Sequence, residues 1–115
     1  VIKELVYGKD IVLVDEAILS GTTILATVSK IRSAGAKTIH IRIPFPIVSN
    51  ACVANNMPNT GLLLTEQLTK NNNIKAGVNH EFEKYFGADT VRFMEKKEFL
   101  SCFENGRLKC VKCIA

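Results

Sequence analysis

Ile11-Val12-Leu13-Val14-Asp15-Glu16-Ala17-Ile18-Leu19-Ser20-Gly21-Thr22-Thr23 is the stretch that decides the fold. Four apolar residues follow one another without polar alternation, which reads as a strand buried on both faces. Asp15 and Glu16 stop the run at its carboxyl end, the place where open α/β sheets receive their ligands. Ser20, Gly21, Thr22 and Thr23 then supply hydroxyls and a residue without Cβ just ahead of a helical pattern. Backbone N–H groups at such a turn can close on a phosphate. Carboxylates on one side and phosphate donors on the other suit a sugar phosphate together with a divalent cation.

Downstream, Ile24, Val28 and Ile31 recur at i, i+4 and i+7, one face of a helix. Thr22 or Thr23 is the expected N-cap, and Gly35 the expected stop. Thr38-Ile39-His40-Ile41-Arg42-Ile43 alternates strictly, with three isoleucines on one face. Residues 11–43 therefore read as a β-α-β unit with a right-handed crossover. The fold class that follows is α/β, a partial parallel sheet with flanking helices.

The flanks are less marked. Residues 1–10 lead into the first strand through a Gly8-Lys9-Asp10 turn. Pro44 and Pro46 end the second strand, and an irregular polar stretch runs through Asn59. A short helix is expected over 62–70, a loop at Asn71-Asn72-Asn73, and a helix over 80–86 capped by Asn79 and ended by Gly87. A strand over 90–93, a helix over 96–103, a turn at Asn105-Gly106 and a last strand over 107–112 complete the reading. His40 and His80 read as surface residues of a strand and a helix. Four strands at most and one full crossover are few for such a sheet. The expectation is an incomplete domain, finished by further sequence or another chain, with no internal repeat or linker.

A chain of 115 residues, 47% hydrophobic, fills one small core and is too short for two. The expectation is one domain, or part of one, over residues 1–115. Its net charge of +4 comes from 15 basic residues spread with no run longer than two, which speaks for a solvated surface and against a nucleic-acid stripe. Some of that charge can attract a polyanionic substrate. No apolar run approaches the ~20 residues of a membrane span and no signal peptide is visible, so a soluble cytoplasmic protein is expected. No Ser-His-Asp or Cys-His arrangement is readable, which disfavours a hydrolase.

Residues 11–23 resemble the 5-phosphoribosyl-1-pyrophosphate (PRPP) signature of type I phosphoribosyltransferases, in which apolar residues precede two acids and a loop ending in Gly-Thr. The resemblance implies that Asp15 and Glu16 hold the ribose hydroxyls, directly or through Mg²⁺. It assigns Ala17, Ile18, Leu19, Ser20, Gly21, Thr22 and Thr23 to the 5′-phosphate. With Ala34-Gly35-Ala36-Lys37, His40-Ile41-Arg42-Ile43, Met57-Pro58, Gly87-Ala88-Asp89-Thr90 and Cys110-Val111-Lys112-Cys113 in order, the chain resembles the C-terminal part of the transferase domain in the amidophosphoribosyltransferase (glutamine PRPP amidotransferase) branch. Three departures stand out. Glu16 replaces the usual Asp and reaches one methylene further, Ser20 replaces the usual Arg and removes a charge, and Pro44-Phe45-Pro46 stands for a Ser-Pro-Pro segment.

Cys52, Cys102, Cys110 and Cys113 show no secretory context, which disfavours structural disulfides. A redox role for Cys110-x-x-Cys113 is disfavoured because the pair does not sit on a strand-to-helix turn. Such a pair can hold two corners of a metal or iron–sulfur site, and free thiols are the alternative. By resemblance the pair matches the C-terminal cysteines that bind a [4Fe-4S] cluster in many microbial relatives. Cys52 falls within a residue of a third ligand, the fourth would lie upstream of Val1, and Cys102 has no counterpart.

The activity implied is formation of 5-phosphoribosylamine from PRPP and glutamine-derived ammonia in purine biosynthesis. Purine nucleotides are implied as inhibitors and a homo-oligomer as the assembly. In that branch a glutaminase domain and the first half of the transferase domain precede what corresponds to Val1. The 115-residue chain by itself is expected to be inactive. Two alternatives remain: a noncatalytic nucleotide- or PRPP-binding regulatory module, favoured by Glu16 and Ser20, and another PRPP-dependent transferase, which would carry a base-recognition hood in place of the Cys-x-x-Cys tail.

Overall fold

A computed structural model describes residues 1–52, 63–69, 78–103 and 110–115. The expectations for Met57-Pro58, the polar stretch over 53–59, the Asn71-Asn72-Asn73 loop and the Asn105-Gly106 turn lie outside the described residues.

The lead-in holds a short helix the sequence did not announce, α1 (Lys3–Val6), before β1 (Asp10–Val14), α2 (Thr22–Ser33) and β2 (Thr38–Ile43). There follow α3 (Leu64–Leu68), α4 (Val78–Phe86), β3 (Thr90–Phe93) and α5 (Lys96–Ser101). The three strands form one parallel sheet in the order β1-β2-β3, with Leu13 opposite Ile41 and Ile41 opposite Val91. A second crossover, through α3 and α4, thus joins β2 to β3, where the sequence showed only one.

Period-2 alternation explains β2: Ile39, Ile41 and Ile43 are all but fully buried, while Thr38, His40 and Arg42 take the other face. Ile24, Val28 and Ile31 of α2 and Phe82 and Phe86 of α4 join the isoleucines, Leu64 and Val91 in one apolar cluster. Burying a phenylalanine such as Phe82 completely is worth about 3 kcal/mol at most by transfer, which makes this cluster the main stabilising feature.

β1 departs from the expectation of burial on both faces. Ile11 and Leu13 turn toward the cluster, but Val12 and Val14 are 61% and 64% exposed on the opposite side. β1 is an edge strand. Its Asp15 N–H reaches Arg42 C=O at 3.3 Å, and alternate N–H groups point to opposite sides, so those of Val12 and Val14 point away from β2. The other edge is blunted, because Glu83 accepts the Val91 N–H at 3.2 Å and an Arg92 N–H at 2.8 Å.

Other boundaries shift for local reasons. Gly21, not a threonine, is the N-cap of α2; its φ of +75° is a left-handed conformation that glycine adopts without penalty, and Thr22 and Thr23 lie inside the helix. α4 begins at Val78, which puts Asn79 in the first turn instead of at the cap. α5 ends at Ser101, short of residue 103, and Glu98 accepts the Glu95 N–H at 3.3 Å at its start. Of the last expected strand, residues 110–112 are not in a strand; an isolated antiparallel bridge joins Val48 to Ile114 instead. Among the described residues no helix is long and apolar enough to cross a membrane.

Candidate functional site

At the carboxyl end of β1 the chain leaves the sheet, and the ten consecutive residues 15–24 line a cavity of about 270 Å³. Each part has a separate cause. Asp15 is half-buried where β1 ends, and its Oδ1 accepts the Glu16 N–H at 2.8 Å, so the carboxylate folds over the start of the loop. Glu16 is exposed, whereas Ile18 is 3% exposed and anchors the loop in the core. Ser20 Oγ and Thr22 Oγ1 share a hydrogen bond of 2.9 Å, which brings two hydroxyls together at the head of α2.

The helix supplies the rest. Its first intrahelical bond is Leu25 N–H to Gly21 C=O at 2.9 Å, so the N–H groups of Thr22, Thr23 and Ile24 have no acceptor within α2. Those N–H groups carry the positive end of a 12-residue helix dipole. Hydroxyls, N–H groups and dipole converge on space suited to an anion, with two carboxylates at its upper side.

Two contributors were invisible in the sequence. Leu64 N–H donates to Leu19 C=O at 2.7 Å. A Cβ on Gly21 would stand 2.7 Å from Leu64 Cδ2 and 3.1 Å from Phe86 Cζ. Nothing local marks Leu64 or Phe86 as neighbours of the loop, since both are ordinary apolar residues far along the chain. Only Gly21, whose missing Cβ admits them, offered a hint.

Asp15 and Glu16 are hard oxygen donors of the kind Mg²⁺ takes in ones and twos, with water and substrate oxygens completing its octahedron. Among the described residues no group of three His, Cys, Asp or Glu side chains is arranged to hold a metal ion. The adjacent acids therefore fit a cation shared with a ligand and not one caged by protein.

The cysteines divide. Burial pushes the Cys113 thiol above its ordinary value, and the neighbouring Cys52 and Cys110 raise it further. Backbone ties hold this corner: Ser49 N–H and Asn50 N–H both reach Cys113 C=O, at 2.8 and 3.3 Å, and Asn50 Nδ2 reaches Lys112 C=O at 3.1 Å. Cys102 instead closes α5, its thiol donating to Glu98 C=O at 3.4 Å. Thiolates are soft donors for iron, but these three are not arranged to hold a metal ion, and a Cys-ligated [4Fe-4S] cluster takes four. His40 bridges Thr38 and Thr90 hydroxyls at 3.0 and 2.9 Å, and His80 lies 3.3 Å from Glu83, both as structural side chains.

The parallel sheet, flanking helices and strand-loop-helix cavity define an α/β domain with its candidate site at the carboxyl end of β1. No protein-family model matches the chain. In sequence it is similar to amidophosphoribosyltransferases: 34% identical to that of Rhizobium etli over 93 residues, 80% of this chain and 17% of the relative. It is 27% identical to that of Methanocaldococcus jannaschii over 113 residues, 98% of this chain and 22% of the relative. Its fold is similar to part of the glutamine PRPP amidotransferase from B. subtilis solved with ADP and GMP, with a TM-score of 0.72 and 24% identity over 97% of this chain and 23% of that one. The chain is thus similar to part of the amidophosphoribosyltransferases, and spans about a fifth of the length of the curated relatives it matches.

Proposed function

We propose that this chain is the PRPP-binding portion of an amidophosphoribosyltransferase, which makes 5-phosphoribosylamine from PRPP and glutamine-derived ammonia in purine biosynthesis. The observation that carries the reading is the cavity lined by residues 15–24, where Ser20, Thr22 and the first N–H groups of α2 meet below two carboxylates. Thr22, Thr23 and their neighbours hold the 5′-phosphate, since a dianion gains both from the N–H groups and from the dipole. Asp15 and Glu16 steady the ribose hydroxyls. Their negative charge counts most as positive charge builds on C1 and pyrophosphate departs, so it favours the transition state over the bound substrate. Asp15 and Glu16 would hold a Mg²⁺ shared with the substrate, and that cation would supply charge neutralisation to the departing pyrophosphate.

The wider reading includes a [4Fe-4S] cluster held in part by Cys52, Cys110 and Cys113, upstream glutaminase and transferase segments, and a cytoplasmic homo-oligomer. The nearness of Cys52 to Cys113 supports the first, while the three thiols by themselves are not arranged to hold a metal ion. Inhibition by purine nucleotides at the same loop is supported by the B. subtilis neighbour, solved with ADP and GMP. A noncatalytic nucleotide-binding module is the second reading, favoured by the exposed Glu16 and the uncharged Ser20 at positions where the family has Asp and Arg.

Calorimetric titration with ribose 5-phosphate and with AMP tests the site. Binding of both in the millimolar range or tighter is expected, and Thr22→Val should weaken it by about 1 to 3 kcal/mol through an unpaired phosphate oxygen. Absence of heat and of any thermal shift at millimolar ligand would remove the phosphate-loop assignment.

A further inference from the structure

Residues 15–21 form neither helix nor strand, so the direction in which Ser20 and Thr22 present their hydroxyls has to be imposed from outside the loop. Ile18 imposes part of it as an anchor in the core. The stretch between Ile18 and the head of α2 is held by Leu64, and held twice. Its N–H, which as the first of α3 has no intrahelical acceptor, closes on Leu19 C=O at 2.7 Å. Its fully buried side chain occupies the space that a Cβ on Gly21 would need. One residue thus grips the loop immediately before and immediately after Ser20.

We propose that Leu64 is a positioning residue for the phosphate loop, fixing the Leu19 carbonyl and the left-handed Gly21 so that Ser20, Thr22 and the first N–H groups of α2 point at one anion. This rests on the reading of that loop as a sugar-phosphate site. Leu64 touches no ligand; it acts through Leu19 and Gly21. A loop held in its bound shape loses little entropy on closing around a phosphate, whereas a slack one must be ordered by the ligand itself. Truncating the side chain leaves the main-chain bond in place but removes the nearer part of the wall against Gly21, with Phe86 remaining, which lets the loop drift while the core stays folded.

The test compares Leu64→Ala and Leu64→Met with Val91→Ala, which hollows the same core from β3 and is not among the side chains that wall Gly21. Each full chain is titrated with ribose 5-phosphate well below its own unfolding temperature, and amide exchange is followed at Ser20, Gly21 and Thr22. Leu64→Ala should weaken binding about tenfold and speed loop exchange selectively, while Leu64→Met and Val91→Ala stay within about threefold of the parent. Unchanged affinity and exchange in Leu64→Ala, or an equal loss in Val91→Ala, overturns the proposal. If the parent chain takes up no ribose 5-phosphate, the sugar-phosphate reading fails separately, and loop exchange decides the positioning role by the same two outcomes. Should Leu64→Ala not fold, Leu64→Val makes the smaller truncation and is read in its place.

Discussion

Asp89 and Ile39 hold each other by two bonds: the Asp89 N–H reaches Ile39 C=O at 2.8 Å, and the Ile39 N–H reaches Asp89 Oδ2 at 2.8 Å. Arg32 adds a third contact to the same oxygen at 3.0 Å and a fourth to Gly87 C=O at 2.8 Å. One carboxylate therefore joins the last turn of α2 to the entrances of β2 and β3. Asp89→Ala leaves the Ile39 N–H without its acceptor and should lower unfolding free energy by about 1 to 3 kcal/mol. Asp89→Asn keeps an acceptor and loses only the half-exposed charge pair with Arg32, a change of about 1 kcal/mol or less. Urea unfolding of the two variants checks the order.

The same chemistry sets an acid limit. The Ile39 N–H, then Arg32, hold the Asp89 carboxyl below its ordinary value. The Arg92 guanidinium, with the Val91 N–H and His80 behind it, does the same for Glu83 against the opposing effect of burial. Both groups are more acidic folded than unfolded, so the unfolded chain binds their protons first as pH falls. Their contribution is complete above the usual carboxylate range and is lost as pH drops through their lowered folded values. Unfolding midpoints measured from neutral pH downward should fall there, and a Glu83→Gln/Asp89→Asn protein, less stable at neutral pH, should show a shallower fall.

Much of this was legible because it is local. Ile39, Ile41 and Ile43 declare a half-buried strand by period, and Ile24, Val28 and Ile31 declare the inner face of α2. The run through Val12 and Val14 was misread for a physical reason: an apolar sequence records that a strand is to be covered, not whether the cover lies within the same stretch of chain. Gly21 displaced the threonine cap because the loop needs a left-handed residue beneath Leu64 and Phe86, a constraint set by partners distant in sequence. Glu83 and Asp89 were unremarkable because the acceptor role of Asp89 appears only when β3 is placed beside β2, and that of Glu83 only when α4 packs along the outer edge of β3. The candidate loop itself was legible as a pattern; what holds it in shape was not.

Gly21 and Gly87 offer a matched pair. Both have positive φ, +75° and +64°, but a Cβ on Gly87 meets nothing within 4 Å, whereas one on Gly21 would collide with Leu64. Gly87→Ala should cost about 1 kcal/mol, the backbone penalty alone. Gly21→Ala adds an overpacking cost of about 1 to 3 kcal/mol and should abolish ribose 5-phosphate binding by displacing the loop. Thermal unfolding and calorimetry on both variants separate strain from lost function, and retained binding in Gly21→Ala would show that the loop tolerates displacement.

Asp15 should matter more to rate than to affinity. In an enzyme that contains this chain together with the remaining transferase sequence, Asp15→Asn preserves size and hydrogen-bonding oxygen but removes the charge that opposes the cation developing at C1. The expected result is a kcat lowered by about 100-fold or more with KM for PRPP changed only a few-fold. A rise in KM at unchanged kcat would show that the carboxylate acts in ground-state binding alone.

The cysteines supply the sharpest division between a structural cluster and ordinary thiols. Cys113 lies beside Cys52 with its thiol disfavoured from ionising by burial, and Cys110 is close enough to add to that effect. A cation beside Cys113 would favour its ionisation, so iron binding should be coupled to folding and to the release of protons. Anaerobically purified protein carrying the remaining amidophosphoribosyltransferase sequence should be brown, with iron near four per chain. Cys110→Ser and Cys113→Ser should each remove the colour and lower the unfolding temperature. Cys102→Ser should leave both unchanged, because its thiol only caps α5 through Glu98 C=O. A colourless, iron-free and fully stable parent would leave the three as free thiols, and a Cys102→Ser protein that loses its iron would show that the ligand set had been drawn wrongly.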